Sequence, residues 1–584
     1  MKHLLSLSAA LGLALVGCGK DDPATGGGTD KAPATTAQGA AVVAPAKEIQ
    51  APAELLLYGG SNGTEDAVKQ LKDLAAQVVP EIPDLVAMVG PALQNEFRLK
   101  DAAAIDTKKP MRFAIFDQKT YGRSPETLML GVTSPDAFAA ALPDHEKTQN
   151  VEGNAWSYLK FPGSKSPMYI NFVGGYAVVT RHKDLFPKNK DFFEALGAAT
   201  LPDAGGLVVE LENVVRLYGP EIDQSFKQMA EMMTMAAQAS PQAKGQVETV
   251  QGMITWLQGA MREARQLRAS LVIKDGVQLD LRLVPKAGSP LAKTISELAG
   301  TGKSDLLAKI PADAPFFFAA AIDPAKAAEL SAKLNEAFMV QPIFKGNAAQ
   351  AKPYGDAMRD YILAMDGQVV VAAHPSPAGL QLLGLFGVAD QAKLKTAHGK
   401  LSELYTDPAA VAYYDAMGVG MELQKNAYTV GNVSVDITRT TLKNMPPEAM
   451  VMMGAMGDLF VQHIAVGEKL GIMAYGEAGK ASIEGILGNT LKGGLDQAPG
   501  AKRAISGAAP GFFGLLYLNP IELAKGVKLG GMNPLATMLA EVKADTGIAI
   551  SQAVTDGALR MVLDIPLDTM KQGFAAFEKT KGSF

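Results

Sequence analysis

Apolar residues recur along this chain in two rhythms. Short unbroken runs such as Leu55–Tyr58, Leu128–Val132, Phe316–Ile322 and Phe512–Leu518 read as strands. Stretches with apolar positions three and four apart read as helices, as from Thr64 through Val79, where Val68, Leu71, Leu74, Ala75 and Val78 share one face and Thr64 is the expected N-cap.

The two rhythms are joined by a recurring device. A strand runs into Ser, Asp or Asn, then Pro, then an Ala-rich helix: Leu128–Val132 into Ser134-Pro135, Phe316–Ile322 into Asp323-Pro324, Phe512–Leu518 into Asn519-Pro520. The polar side chain caps the helix, and Pro at the first helical position lacks only an N–H that had no partner in any case. Hairpins form a second recurring unit, expected on Asp275-Gly276, Asp556-Gly557 and Asp366-Gly367, because Asp-Gly suits a two-residue type I′ turn. Further hairpins are expected at Gly174-Gly175 and Gly431-Asn432.

Hairpins alternating with helices predict an α+β fold of mainly antiparallel sheets with helices packed on one face. The hairpin strands after Asp275 and Asp556 both end on Pro, at Pro285 and Pro566, and an amphipathic helix follows each. This match predicts a duplication, with a first α+β domain over 53–302 and a second over 303–584. The spacing is too long for a solenoid or propeller.

The N-terminus carries a different pattern. Met1, Lys2 and His3 precede an apolar run from Leu4 to Val16, too short to span a bilayer, which needs about 20 residues, and typical of a secretory signal. It ends in Leu15-Val16-Gly17-Cys18, which resembles the lipobox of bacterial lipoproteins. That resemblance implies removal of residues 1–17 and acylation of Cys18, which is the single Cys in 584 residues. Each buried acyl CH₂ contributes about 0.8 kcal/mol, so two or three chains amount to a permanent anchor. In such lipoproteins Gly at the position held here by Gly19, rather than Asp, favours the outer membrane. Residues 18–52 are rich in Gly, Ala, Pro, Thr and Asp and read as a disordered tether with a reach of about 30 Å.

Composition narrows the rest. One Cys excludes an internal disulfide framework and a Cys-based zinc cluster. A net charge of −5 supplies no basic footprint for nucleic acid. The most apolar late stretch, Met445–Tyr475, is interrupted by Glu448, Asp458, His463, Glu468 and Lys469 and does not read as a membrane span.

Candidate chemistry is sparse. Gly59-Gly60-Ser61-Asn62-Gly63 fits G-x-S-x-G between a strand and a helix, which makes Ser61 a candidate nucleophile. The alternative is a Gly-rich connection, since only the tether precedes the strand and none of His145, His182, His374, His398 and His463 is singled out as a base. Glu65 and Asp66 argue against a phosphate cradle at the same helix. The GTGKS string ending at Ser304 is not a P-loop, because Glu297 stands where Gly is required. Methionines cluster at Met229, Met232, Met233 and Met235, and at Met445, Met450, Met452, Met453 and Met456. Core packing is the favoured account, with Ile222, Phe226, Met229 and Met233 as a helical stripe; an apolar ligand surface and Cu(I) binding beside His463 are the alternatives. Zinc and calcium spacings are absent, so no metal or cofactor is expected.

The lipobox, the strand-(Asp/Asn)-Pro-helix units and GGYAVVTRHKDLF at 174–186 together resemble uncharacterised exported bacterial lipoproteins built from duplicated α+β domains. The resemblance implies a cell-envelope protein without assigned catalytic residues. The expected role is non-enzymatic binding or structure at the membrane, with an apolar ligand or an envelope protein as partner. A Ser61 hydrolase and a carrier of lipid or another apolar ligand are the alternatives.

Overall fold

The computed structural model describes residues 49–580 apart from 80–82, 145–146, 161–165, 202–203, 239–253, 256, 335–347, 377–378, 417, 443–459, 477, 492 and 527–533. Cys18, the signal segment and almost all of the tether lie outside the described residues. The chain folds into two compact units, one of residues up to Asn213 with Ser270–Lys274, the other of Val214–Ala269 with Asp275–Phe584.

In the first unit, β1 (Leu55–Gly60), β2 (Arg112–Phe116), β3 (Glu126–Gly131), β4 (Thr148–Val151), β5 (Asn154–Tyr158), β6 (Met168–Val173), β7 (Tyr176–Thr180) and β8 (Gly205–Val209) pair antiparallel in the order β8-β1-β2-β3-β7-β6-β5-β4. Next, β9 (Ala264–Ile273) leads into β10 (Gly276–Pro285).

The second unit adds β11 (Phe316–Ala321), β12 (Met365–Ser376), β13 (Gly379–Val388), β14 (Val419–Val430), β15 (Val433–Leu442), β16 (Val461–Val466), β17 (Leu470–Tyr475), β18 (Phe512–Leu518), β19 (Ile548–Thr555) and β20 (Ala558–Pro566). Here the order is β10-β20-β19-β18-β11-β12-β13-β17-β16-β15-β14, again antiparallel throughout. Because β10 pairs with β20 near the far end of the chain, residues 275–302 group with the second unit rather than closing a first domain at 302.

The fold class is the expected α+β, and in the first unit helices cover both faces of the sheet rather than one. In the first unit Leu130 and Val179 pack beneath Phe97 and Phe138, while Met129 and Val178, their neighbours in sequence, pack against Phe186, Phe193 and Leu196 on the other side. The physical reason is visible in β7, whose five residues Tyr176–Thr180 are all buried: the run Tyr176–Val179, without a polar alternate position, suits a strand covered twice.

The capping device behaves as expected. Ser134 Oγ accepts from Ala137 N at 3.0 Å, Asp323 Oδ1 from Ala325 N at 2.9 Å, and Asn519 Oδ1 from Glu522 N at 3.1 Å. Thr64 departs from expectation. Gly63 is the N-cap, and the Thr64 hydroxyl donates instead to Lys109 O at 3.1 Å.

The hairpins divide. Asp556 and Gly557 both take positive φ, 52° and 73°, as a type I′ turn requires, and so do Gly174 and Gly175 at 55° and 83°. At the first Asp-Gly only Gly276 does, at 140°, so that turn is not type I′. Asp366-Gly367 is not a turn at all; it lies in β12 where the register with β13 shifts, just after the helix Ala348–Leu363.

Two glycines that look alike in sequence therefore carry different burdens. A Cβ on Gly276 would stand 2.2 Å from Ile565 O, whereas one on Gly557 meets nothing within 4 Å. Gly557→Ala should cost only the left-handed backbone strain, about 1–2 kcal/mol. Gly276→Ala should cost clearly more, because the β10-β20 pairing must also open. Urea midpoints of the two variants check the order, and equal shifts would refute it.

Candidate functional site

Ser61 follows β1, and its surroundings fix its backbone rather than its hydroxyl. Ser61 N donates to Met111 O at 3.2 Å, and its carbonyl accepts from Arg112 Nη1. Gly59 and Gly60 are not part of a loop; they are the last residues of β1, opposite Phe113 and Arg112 on one side and Leu207 and Gly206 on the other. A Cβ on Gly59 would lie 2.3 Å from Gly206 O, so glycine here lets neighbouring backbones approach. Arg112, 1 % exposed, also donates to Leu196 O at 3.3 Å and Ala199 O at 2.6 Å, tying the segment to the C-terminal end of the helix Lys190–Ala198. Burial pulls the Arg112 guanidinium below its ordinary value, and three carbonyls hold its charged form in place.

The histidines are engaged elsewhere. His182 Nε2 lies 3.0 Å from both Arg123 O and Ser124 O. His374 Nδ1 lies 3.1 Å from Pro375 O, His398 Nε2 is 3.1 Å from Asp436 Oδ2, and His463 Nδ1 is 3.0 Å from Tyr428 Oη. His145 lies outside the described residues. No hydrogen bond joins the Ser61 hydroxyl to any of the described histidines.

Of the first methionine cluster, Met229, Met232 and Met235 are exposed on the helix Leu211–Gln238, by 44, 61 and 62 %. Core packing is therefore corrected for Met229. The second cluster lies outside the described residues. Among the described residues no group of three His, Cys, Asp or Glu could hold a metal ion, and no helix is long and apolar enough to cross a membrane.

What sequence reading missed is a difference between the two faces of the second unit's sheet. One face carries the row Val562, Ser551, Leu515, Ala319, Val370, Leu385, Ile472, Ala465 and Val435, each opposite the next across neighbouring strands and each at most 2 % exposed. The other face carries Leu279, Leu563, Ile550, Leu516, Phe318 and Val371, likewise linked strand to strand. None of these six is buried, and Phe318 is 39 % exposed. Six strands at about 4.8 Å spacing make this an apolar row about 24 Å long. Helices reach this face farther along, where Phe386 packs with Tyr361 and Leu394.

A separate cleft of about 320 Å³ opens beside β14 and β15, lined by Tyr405, Tyr414, Glu422 and Arg439. Its charged lining residues are Asp415, Glu422 and Arg439, with Glu422 directly opposite Arg439 in the strand register. Compared with protein-family models, curated proteins and solved structures, the chain matches none.

Two titrating groups, the buried His374 and the half-buried Asp436, set an acid response. Burial holds His374 below its ordinary value, so its neutral form is the one the fold accommodates. Its stabilising effect is complete above the unfolded value near 6.5 and is lost as pH falls towards the lower folded value. Burial pushes Asp436 up, but bonds from His398 and Asn426 N outweigh it and leave the carboxyl below its ordinary value. That contribution is present above the unfolded value near 3.9 and disappears as pH falls through the folded one. Stability should thus decline in two stages on acidification. His374→Gln should flatten the upper stage in chemical-unfolding profiles against pH; an unchanged profile would contradict the assignment.

Proposed function

We propose that this protein is an exported bacterial lipoprotein, anchored through lipid on Cys18, whose folded part binds an apolar ligand without catalysing a reaction. One observation carries the binding reading: the unburied apolar row through Leu563, Ile550, Leu516 and Phe318 on a sheet whose opposite face is closed. Isolated exposed apolar residues are ordinary on a protein surface; here Phe318 is exposed and its five neighbours in the row are half-buried, so the partly accessible apolar surface is continuous. The strip bears no polar side chain along its length, so the hydrophobic effect supplies the affinity, and acyl chains are the ligand it suits best. The exposed methionines of the helix Leu211–Gln238 are a second adaptable apolar surface. The lipobox supports the anchor, and Gly19 supports the outer membrane as its site.

We also propose that the strands β1–β10 and β11–β20 descend from one duplicated unit. In support, the pairings β1-β2, β1-β8, β2-β3 and β3-β7 recur as β11-β12, β11-β18, β12-β13 and β13-β17. An experimental structure in which the two sets fail to superpose would reject this.

Purified protein should carry lipid in native mass spectra and should bind the apolar dye N-phenyl-1-naphthylamine. Phe318→Asp, at an already exposed position, should fold and lose at least tenfold in dye affinity, about 1.4 kcal/mol. Equal dye binding by the variant would defeat the reading. In cells, labelled palmitate should enter the wild type and not Cys18→Ala. A fluorophosphonate probe should leave Ser61 unlabelled, and Ser61-dependent labelling would favour a hydrolase instead.

A further inference from the structure

We propose that Arg282 and Arg560, bridged by Asp280, form a binding site for one oxyanion, the carboxylate or phosphate group of a ligand. Arg282 on β10 stands directly opposite Arg560 on β20. Like charges in that position repel, and the pairing persists because a carboxylate lies between them. Asp280 takes both. Arg560 Nε lies 3.2 and 3.1 Å from its two oxygens and Nη2 2.9 Å from Oδ2, while Arg282 donates Nε to Oδ1 at 3.3 Å and Nη2 to Oδ2 at 3.0 Å.

The charges do not balance. Two guanidinium groups share one carboxylate, which leaves one positive charge. The nearest alternative acid on the same face of β20, Asp564, is taken by Arg503, whose Nη2 also donates to Asp275 O. The cluster is largely out of water: side-chain exposure is 10 % for Arg560, 11 % for Asp280 and 24 % for Arg282. An excess charge in such a place is poorly compensated by solvent and attracts an anion strongly.

The donors left over fit that anion. Each arginine commits Nε and Nη2 to Asp280, and among the described residues neither Nη1 bonds to protein. A guanidinium presents its N–H groups in a planar fork matched to carboxylate and phosphate oxygens. An oxyanion reaching both Nη1 groups would complete an alternating arrangement of two cations and two anions. The more exposed Arg282 marks the side from which it enters.

This site lies on the sheet face opposite the Phe318 row, because Arg282, Arg560 and Val562 alternate with Leu281, Met561 and Leu563. The two proposals therefore stand or fall separately. Inorganic phosphate should raise the melting temperature of the full-length protein saturably, beyond chloride at equal ionic strength. Arg282→Gln should abolish that response, Arg282→Lys should reduce it, and Phe318→Asp should leave it intact. A response to phosphate assigns a free small anion. Retention on phosphatidylglycerol-containing vesicles but not on pure phosphatidylcholine, lost in Arg282→Gln and without a phosphate response, assigns a lipid headgroup; either supports the site. No saturable response to either probe, or an equal response in Arg282→Gln, overturns it. Unchanged urea midpoints for Arg282→Gln would verify that a lost response is not lost folding.

Discussion

The constraint on which the second unit rests is register. In an antiparallel sheet the side-chain period is two, so a slip of one residue on any strand would exchange its faces. Nine strands here hold register well enough to bring Val562, Ser551, Leu515, Ala319, Val370, Leu385, Ile472, Ala465 and Val435 into one dry row. The helices Gly479–Leu487 and Pro499–Gly507 close over that row through Ile483, Ala501 and Ala504. Small alanines on both sides allow close approach. Once that face is sealed, the alternate residues must point the other way, which puts the apolar row with Phe318 on the opposite face, whereas Asp280, opposite Val562, lies on the same face as the dry row at its β10-β20 end.

The turn and cap chemistry was legible in the chain. Ser134, Asp323 and Asn519 cap the helices that follow them, because a short polar side chain before Pro has few other local uses. Asp556-Gly557 and Gly174-Gly175 make their turns for equally local reasons. Where tertiary contacts decide, local reading fell short. Asp366-Gly367 has ideal turn chemistry, yet Gly367 packs its Cα against Ile322 O, which lies 2.2 Å from where a Cβ would be. Thr64 looks like a cap until Lys109 O offers its hydroxyl a partner 45 residues away.

The candidate site was legible only in part. The alternation Leu279-Asp280-Leu281-Arg282-Leu283 announces one charged and one apolar face on β10. Nothing in that segment says that β20, 280 residues later, brings Arg560 to share the same carboxylate. Nor could spacing reveal that Phe316–Ala321 would have one face sealed and one left open, since all six of its residues are apolar. Identity along the strand fixes what each face is made of; only pairing decides what covers it.

The Arg112 clamp gives the Ser61 segment a mechanical character that its letters do not suggest. A nucleophile elbow works by thrusting one side chain out of a tight bend, with the bend itself holding the strain. Here the backbone is riveted at three carbonyls by one buried guanidinium, which couples the end of a strand to the end of a helix. Lysine could not replace that rivet, because a single ammonium lacks the planar spread of donors to reach all three. The strand end and the helix end are therefore held as one joint, and Gly59 and Gly60 beside Ser61 work as clearances in it.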